Sequence, residues 1–204
     1  MTGEYDPASP RLYFLRHGET DWNAEGRLQG RKDIPLNALG REQAARAGKT
    51  LVKILRSRNL DPATLPFQCS PLLRTRQTLE IARANMGLPP DGGIIDDRLV
   101  EFTFGAWEGL TWPEVCARDP DRGRAREADK WNFQPPGGES YAQLAERLKP
   151  WLETLTGPAV VVSHGGVARA LMALVGGLSE ARAPSADIWQ GRVLVFSAQR
   201  FDWI

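Results

Sequence analysis

Two short apolar runs in this chain each stop at a histidine followed by glycine. Leu12-Tyr13-Phe14-Leu15 leads into Arg16-His17-Gly18, and Ala159-Val160-Val161-Val162 leads into Ser163-His164-Gly165-Gly166. Each run is too short for a helix and consists largely of branched or aromatic residues, so each reads as a buried strand. The glycine permits a sharp turn and brings backbone N–H groups close to whatever is bound there. Open α/β sheets bind ligands outside the carboxyl ends of their strands. The chain has 2 histidines, and both stand at such an end. One histidine after a strand reads as a structural group; two in matching positions mark a candidate site.

The stretches between keep a strand–helix rhythm. Thr20 is placed to cap a short helical turn through Asp21, Trp22 and Asn23, and 25–35 reads as a polar loop punctuated by Gly26, Gly30 and Pro35. Asn37 can cap a helix from Ala38 to about Arg56, where Ala44, Ala47, Leu51 and Leu55 recur at helical intervals. Phe67-Gln68-Cys69 reads as a second strand, with Ser70 as N-cap and Pro71 as first residue of a helix running to about Met86. Ile94 and Ile95 suggest a third strand, at or near a sheet edge, that leads to Glu101. Ser140 and Gln143 form a capping box for a helix to about Leu155. A helix from Val167 to Val175 follows the second histidine, then a strand from Arg192 to Ala198 and another over 201–204. This alternation predicts an α/β fold with a doubly wound, mostly parallel central sheet flanked by helices. The rhythm breaks over about 105–138, rich in Trp, Arg, Asp, Pro and Gly, which is expected to be an insertion with one or two short helices packed over the active site as a lid. Residues 1–10 are expected to be a disordered leader and 11–204 a single domain.

Several function classes fall away. Lys and Arg number 26 against 25 Asp and Glu, so bulk charge gives no hold on nucleic acid or a membrane surface, and neither is expected as a partner. No apolar run approaches the ~20 residues that span a bilayer. The polar start, with Glu4 and Asp6, lacks the basic and apolar regions of a signal peptide, and Cys69 and Cys116 make no disulfide framework. A cytoplasmic location follows as an expectation. No Cys/His cluster has zinc spacing.

The loops after the predicted strands carry Arg16, His17, Arg74, Glu101 and His164. Taken singly, Arg74 and Arg76 read as a basic helix face and Glu101 as a surface acid. Gathered in one crevice, two guanidiniums and two imidazoles around one carboxyl suit a phosphoryl group. Arginine offers a planar donor fork to phosphate oxygens, and neutral histidine is a nucleophile. The residues themselves lead as far as an anion-binding α/β enzyme of phosphoryl transfer.

At this point the chain resembles the histidine phosphatase superfamily, which includes cofactor-dependent phosphoglycerate mutases and many phosphatases. Leu15-Arg16-His17-Gly18-Glu19-Thr20 with Asn23 is similar to the family signature. Arg27-Leu28-Gln29-Gly30, Asp33-Ile34-Pro35-Leu36-Asn37 with Gly40, and Ser70-Pro71-Leu72-Leu73-Arg74-Thr75 resemble its next motifs. Glu101 with Phe104-Gly105 and Trp107-Glu108-Gly109, and Val162-Ser163-His164-Gly165-Gly166, resemble its acid and second histidine motifs. The likeness spans roughly 11–198 and implies a phosphoglycerate mutase-like fold. It further implies that His17 carries a phosphohistidine, that Arg16, Arg74 and His164 hold the phosphoryl oxygens, and that Glu101 is the general acid. Asn23, Gln29, Gly30 and Gly165 would complete the phosphate pocket, with cationic side chains in place of a metal.

The family's mutases carry Arg and His just after the acid and a longer insertion. Here Glu101 is followed by Phe102, Thr103 and Phe104, and the segment to His164 is short. A metal-independent phosphomonoester hydrolase acting on a small phosphorylated metabolite is therefore expected, with no cofactor. A mutase, primed by 2,3-bisphosphoglycerate, is the alternative, and an inactive phosphate-ligand sensor a second one. Arg118, Arg122, Arg124, Arg126 and Lys130, interleaved with acids, read as a solvated helix face. Trp107, Trp112, Trp131 and Phe133 either line the mouth of the site or pack the insertion down. The assembly is expected to be a monomer or a homodimer.

Overall fold

The computed structural model describes residues 11–204; the leader expected over 1–10 lies outside them. Six strands form one sheet: β1 (Leu12–Arg16), β2 (Phe67–Cys69), β3 (Ile94–Ile95), β4 (Ala159–Ser163), β5 (Leu194–Ser197) and β6 (Arg200–Trp203). Seven α-helices accompany them: α1 (Asp21–Ala24), α2 (Ala38–Ser57), α3 (Leu73–Asn85), α4 (Trp112–Arg118), α5 (Pro120–Ala128), α6 (Tyr141–Leu152) and α7 (Gly165–Leu174). The strand order is β3-β2-β4-β1-β5-β6. The first four run parallel, and β5 and β6 add an antiparallel hairpin at one edge.

Side-chain alternation along the strands divides the core in two. Leu12 and Phe14 face one side, with Val161 and Phe196, and meet Leu144, Leu148, Trp151 and Leu171 of α6 and α7. Tyr13 and Leu15 face the other, with Val160 and Val162, and meet Ala47, Leu51, Leu55, Leu79 and Ala82 of α2 and α3. Each fully buried Leu, Val or Phe here contributes roughly 1.5–3 kcal/mol. β1 pairs with β4 in register, Leu12 opposite Ala159 and Arg16 opposite Ser163. That register brings the two histidines to the same end of adjacent strands, at the switch point of the sheet.

Three boundaries differ from the sequence reading. Ser70 does not cap α3: the helix begins at Leu73, and Leu72 is its N-cap with no side-chain bond. The Ser70 hydroxyl is engaged by His164 instead. α7 begins at Gly165, directly after the histidine, rather than at Val167. α6 has its Ser140–Gln143 capping box but ends at Leu152. Among the described residues no helix is long and apolar enough to cross a membrane.

Candidate active site

The loop after β1 is set by close backbone packing. A Cβ on Gly18 would lie 2.1 Å from the Gly40 carbonyl oxygen, and one on Gly40 would lie 2.1 Å from the Glu19 oxygen. Glycine at both positions lets α2 start against this loop. The His17 amide donates to the Ser163 carbonyl (2.9 Å), and the Gly18 amide donates to Thr78 Oγ1 (3.0 Å). His17 Nδ1 lies 2.7 Å from the Gly18 carbonyl oxygen. A carbonyl can only accept, so Nδ1 carries the proton and Nε2 keeps a free electron pair.

The second histidine stands against the first, ring centroids 5.2 Å apart and edge to face. His164 Nε2 meets Ser70 Oγ at 2.7 Å, while its Nδ1 has no hydrogen-bond partner among the described residues. Both rings are buried. Burial first, then the Arg74 guanidinium, holds both histidines well below their usual protonation range, so both are neutral at pH 7.

Arg74, on the first turn of α3, is 1% exposed. Its Nη1 donates to the Lys32 carbonyl (2.7 Å) and its Nη2 to that of Gly30 (2.8 Å), which pins the 25–35 loop over the site. Arg16 Nη1 donates to the Ile188 carbonyl (2.7 Å). Burial lowers both guanidiniums to about 10, so both stay charged. The Nε atoms of Arg16 and Arg74 have no partner among the described residues. Buried donors of this kind call for an acceptor.

Glu101 faces this cluster. Its carboxyl accepts from the amides of Phe102 (3.1 Å) and Gly166 (3.0 Å). Burial pushes it above the usual carboxyl range, against the pull of those amides and of Arg74. Its backbone is gripped from behind: Arg31 Nε donates to the Glu101 carbonyl (3.2 Å), and Arg147 Nη1 to those of Arg98 (2.6 Å) and Val100 (3.0 Å). Glu139 ties the two arginines together. The 135–140 loop thus supports the acid rather than lining the site.

A cavity of about 250 Å³ opens among these groups. Arg16, His17, Asn23, Gln29, Gly30, Arg74, Glu101 and Gly165 line it; His164 is fully buried and does not line it, standing against the His17 ring. Asn23 also completes the cap of α1 with Thr20. The structure adds Phe102, Phe104, Tyr141, Arg126 and Arg169, which the sequence reading did not place there. Arg126 corrects the solvated-face reading: Arg118, Arg122 and Arg124 are exposed, but Arg126 turns inward over the Trp112 ring. Arg169 was legible in principle, since it stands one helical turn after Gly165. The insertion's aromatics pack it down: Trp107 stacks on Phe133 and meets Trp112, and Trp131 stacks on Tyr141. No three His, Cys, Asp or Glu side chains converge to hold a metal ion among the described residues.

The arrangement offers a neutral imidazole with a free electron pair, two charged guanidiniums and a buried carboxyl shifted above its usual range around one small space. That set can attack and hold a tetrahedral oxyanion. Residues 12–203 match the model of the histidine phosphatase superfamily, branch 1. Phosphoserine phosphatase 1 of Hydrogenobacter thermophilus is 38% identical over 170 residues, 79% of this chain and 74% of that protein. The structure of a mycobacterial glucosyl-3-phosphoglycerate phosphatase with VO3 superposes with a TM-score of 0.79 at 30% identity, over 96% of this chain and 97% of that one. A structure described as a phosphoglycerate mutase of Thermus thermophilus superposes with a TM-score of 0.68 at 36% identity, over 91% of each chain.

Proposed function

From the premise that this chain belongs to the histidine phosphatase superfamily and is a phosphomonoesterase, we propose that it hydrolyses a small phosphorylated metabolite through a phosphohistidine at His17, without a metal ion. The observation that carries the reading is the gathering of groups around one buried cavity: His17, with Nε2 free, stands with Arg16 and Arg74 beside the Glu101 carboxyl, which burial shifts above its usual range.

The chemistry then follows. His17 Nε2 attacks phosphorus in line while the bond from phosphorus to the leaving oxygen breaks. Arg16, Arg74 and the Nδ1–H of His164, its Nε2 accepting from the Ser70 hydroxyl, meet the charge on the equatorial oxygens. Glu101 gives its proton to the leaving oxygen. As a carboxylate it then takes a proton from water, whose oxygen attacks phosphorus and breaks the phosphorus–nitrogen bond, restoring both groups. Asn23, Gln29, Gly30 and Gly165 complete the wall of the pocket. The relatives are named for different phosphomonoesters, so their names support the reaction class rather than one substrate.

The likeness to a structure described as a mutase favours a second reading, transfer within the substrate. Against it, Glu101 is followed by Phe102, Thr103 and Phe104 where the family's mutases carry Arg and His just after the acid, and Phe102 and Phe104 line the cavity. ³¹P NMR with 3-phosphoglycerate and a panel of sugar phosphates, with no added metal, separates the readings. Growth of inorganic phosphate that disappears in His17→Ala is the expected result. Accumulation of 2-phosphoglycerate with little free phosphate would establish the mutase, and a static spectrum with every compound would leave a phosphate sensor.

A further inference from the structure

Arg31 is held where two parts of the cavity wall meet. On either side of it, the carbonyls of Gly30 and Lys32 accept from the Arg74 guanidinium, and Asp33 Oδ1 accepts from the Leu73 amide (2.6 Å). The main chain of 30–33 is thereby fixed to the first turn of α3, the turn that carries Arg74 itself. The Arg31 amide donates to Glu108 Oε1 (3.0 Å), which also accepts from Thr103 Oγ1 (2.7 Å) just past the acid. From this anchor the Arg31 side chain crosses to the acid segment, where its Nε donates to the Glu101 carbonyl (3.2 Å).

That carbonyl belongs to the peptide unit joining Glu101 to Phe102. The N–H of the same unit donates to Glu101 Oε1 (3.1 Å). One line therefore runs from guanidinium through carbonyl and amide to the carboxyl. Hydrogen bonds in such a chain polarise one another, so a cation on the carbonyl makes the amide a better donor. The contact with Glu139 does not account for the placement of Arg31. Glu139 is already gripped at both oxygens by Arg147 (3.1 and 3.0 Å), and Arg31 adds one contact of 3.2 Å with its side chain 46% exposed. An ion pair so open to water is worth little.

We infer that Arg31 is a positioning residue for the acid step: it fixes the Glu101 carboxyl in register with Arg74 and, through the 101–102 peptide, stabilises the negative charge which that carboxyl acquires. The inference rests on the phosphatase reading for the reaction it serves. As the bond from phosphorus to the leaving oxygen breaks, the carboxyl proton passes to that oxygen and the electron pair of the O–H bond stays on Glu101. Charge grows where the Phe102 and Gly166 amides point, and Arg31 backs the first of them. The benefit is confined to the transition state and to leaving groups that need a proton.

Arg31→Met tests this, since it keeps the stem of a half-exposed side chain and removes the donor. For an alkyl phosphate, glycerol 3-phosphate, kcat/KM is expected to fall on the order of 10-fold, a usual coupling within one hydrogen-bond network. For p-nitrophenyl phosphate the fall should be much smaller. On a Glu101→Gln background Arg31→Met should cost nothing further, and Arg31→Lys, which keeps a cationic donor, should recover part of the alkyl rate. ¹³C NMR of the glutamate carboxyls, with the Glu101 signal assigned by its loss in Glu101→Gln, reads the carboxyl without turnover. Arg16, Arg74 and Tyr141 face that carboxyl, His17 shares its cavity, and all four are the same in both proteins. Loss of Arg31 should therefore move its titration to higher pH. Equal losses on both substrates, a loss that persists beside Glu101→Gln, or an unmoved titration would overturn the role. If the intact enzyme leaves p-nitrophenyl phosphate untouched, the phosphatase reading falls instead, and the titration still decides whether Arg31 acts on the carboxyl.

Discussion

His17 and His164 share a protonation state but are steered by different oxygens, a backbone carbonyl for the first and the Ser70 hydroxyl for the second. Removing that hydroxyl leaves a buried imidazole nitrogen without its partner. Ser70→Ala should therefore lower stability by roughly 1–3 kcal/mol in urea titration and reduce turnover, because His164 loses its orientation. Glu101 admits a sharper experiment. If it protonates the leaving oxygen, Glu101→Gln slows alkyl phosphates by about 10²–10⁴. It should slow p-nitrophenyl phosphate much less, since p-nitrophenolate departs without a proton. An equal loss on both substrates would sink the acid role. At this scale the sequence was informative where chemistry restricts the residue type. His17, Arg16, Arg74, Glu101 and the loop of Asn23, Gln29 and Gly30 all reach one cavity. Arg126 and Tyr141 were not legible. The first sits in a run of alternating charge, and the second opens an ordinary amphipathic helix, so nothing local marks them as facing a ligand.

Elements were legible to the extent that their ends carry local chemistry. Thr20, Asn37 and Ser140 cap their helices through side-chain oxygens. The misplaced start of α3 shows the limit: Ser70 has the composition of a cap, but a partner distant in sequence takes its hydroxyl. The β5–β6 hairpin carries a different local conflict. Ala198 and Gln199 occupy its turn with φ of 49° and 61°. Residues with side chains pay for this region in strain, and two-residue turns of this hand favour Asn-Gly. Replacing the pair, Ala198→Asn with Gln199→Gly, should stabilise the protein by about 1–2 kcal/mol. Thermal melting checks this, and no rise in Tm would mean the turn is already relaxed. β3 was legible only as an edge, and it is one: two residues long with Ile94 58% and Ile95 48% exposed.

For the molecule as a whole, the buried histidines couple folding to pH. Both titrate well below 6.5 in the native state, so between their native values and 6.5 the unfolded chain binds more protons. Glu101 works in the opposite sense, since its raised native value keeps a proton that the unfolded chain has released above about 4.5. Two histidines outweigh one carboxyl. Stability should be fully present above pH 7 and fall as pH drops below 6.5, by up to ~1.4 kcal/mol per pH unit for each net proton. Urea midpoints across pH 5–8 check this, and replacing either histidine by Gln should flatten the slope; a midpoint indifferent to pH would contradict the buried, neutral assignment. The strand order has a consequence of its own for synthesis. β1 and β2 leave the ribosome early, yet they are not neighbours: β4 lies between them and arrives some 90 residues after Cys69. At roughly 5–20 residues per second the facing edges of β1 and β2 stay open for on the order of 5–20 s in each round of translation. Through that interval the nascent chain holds Arg16, His17 and Arg74 but no site, and its unpaired edges are the surface a chaperone would have to shield.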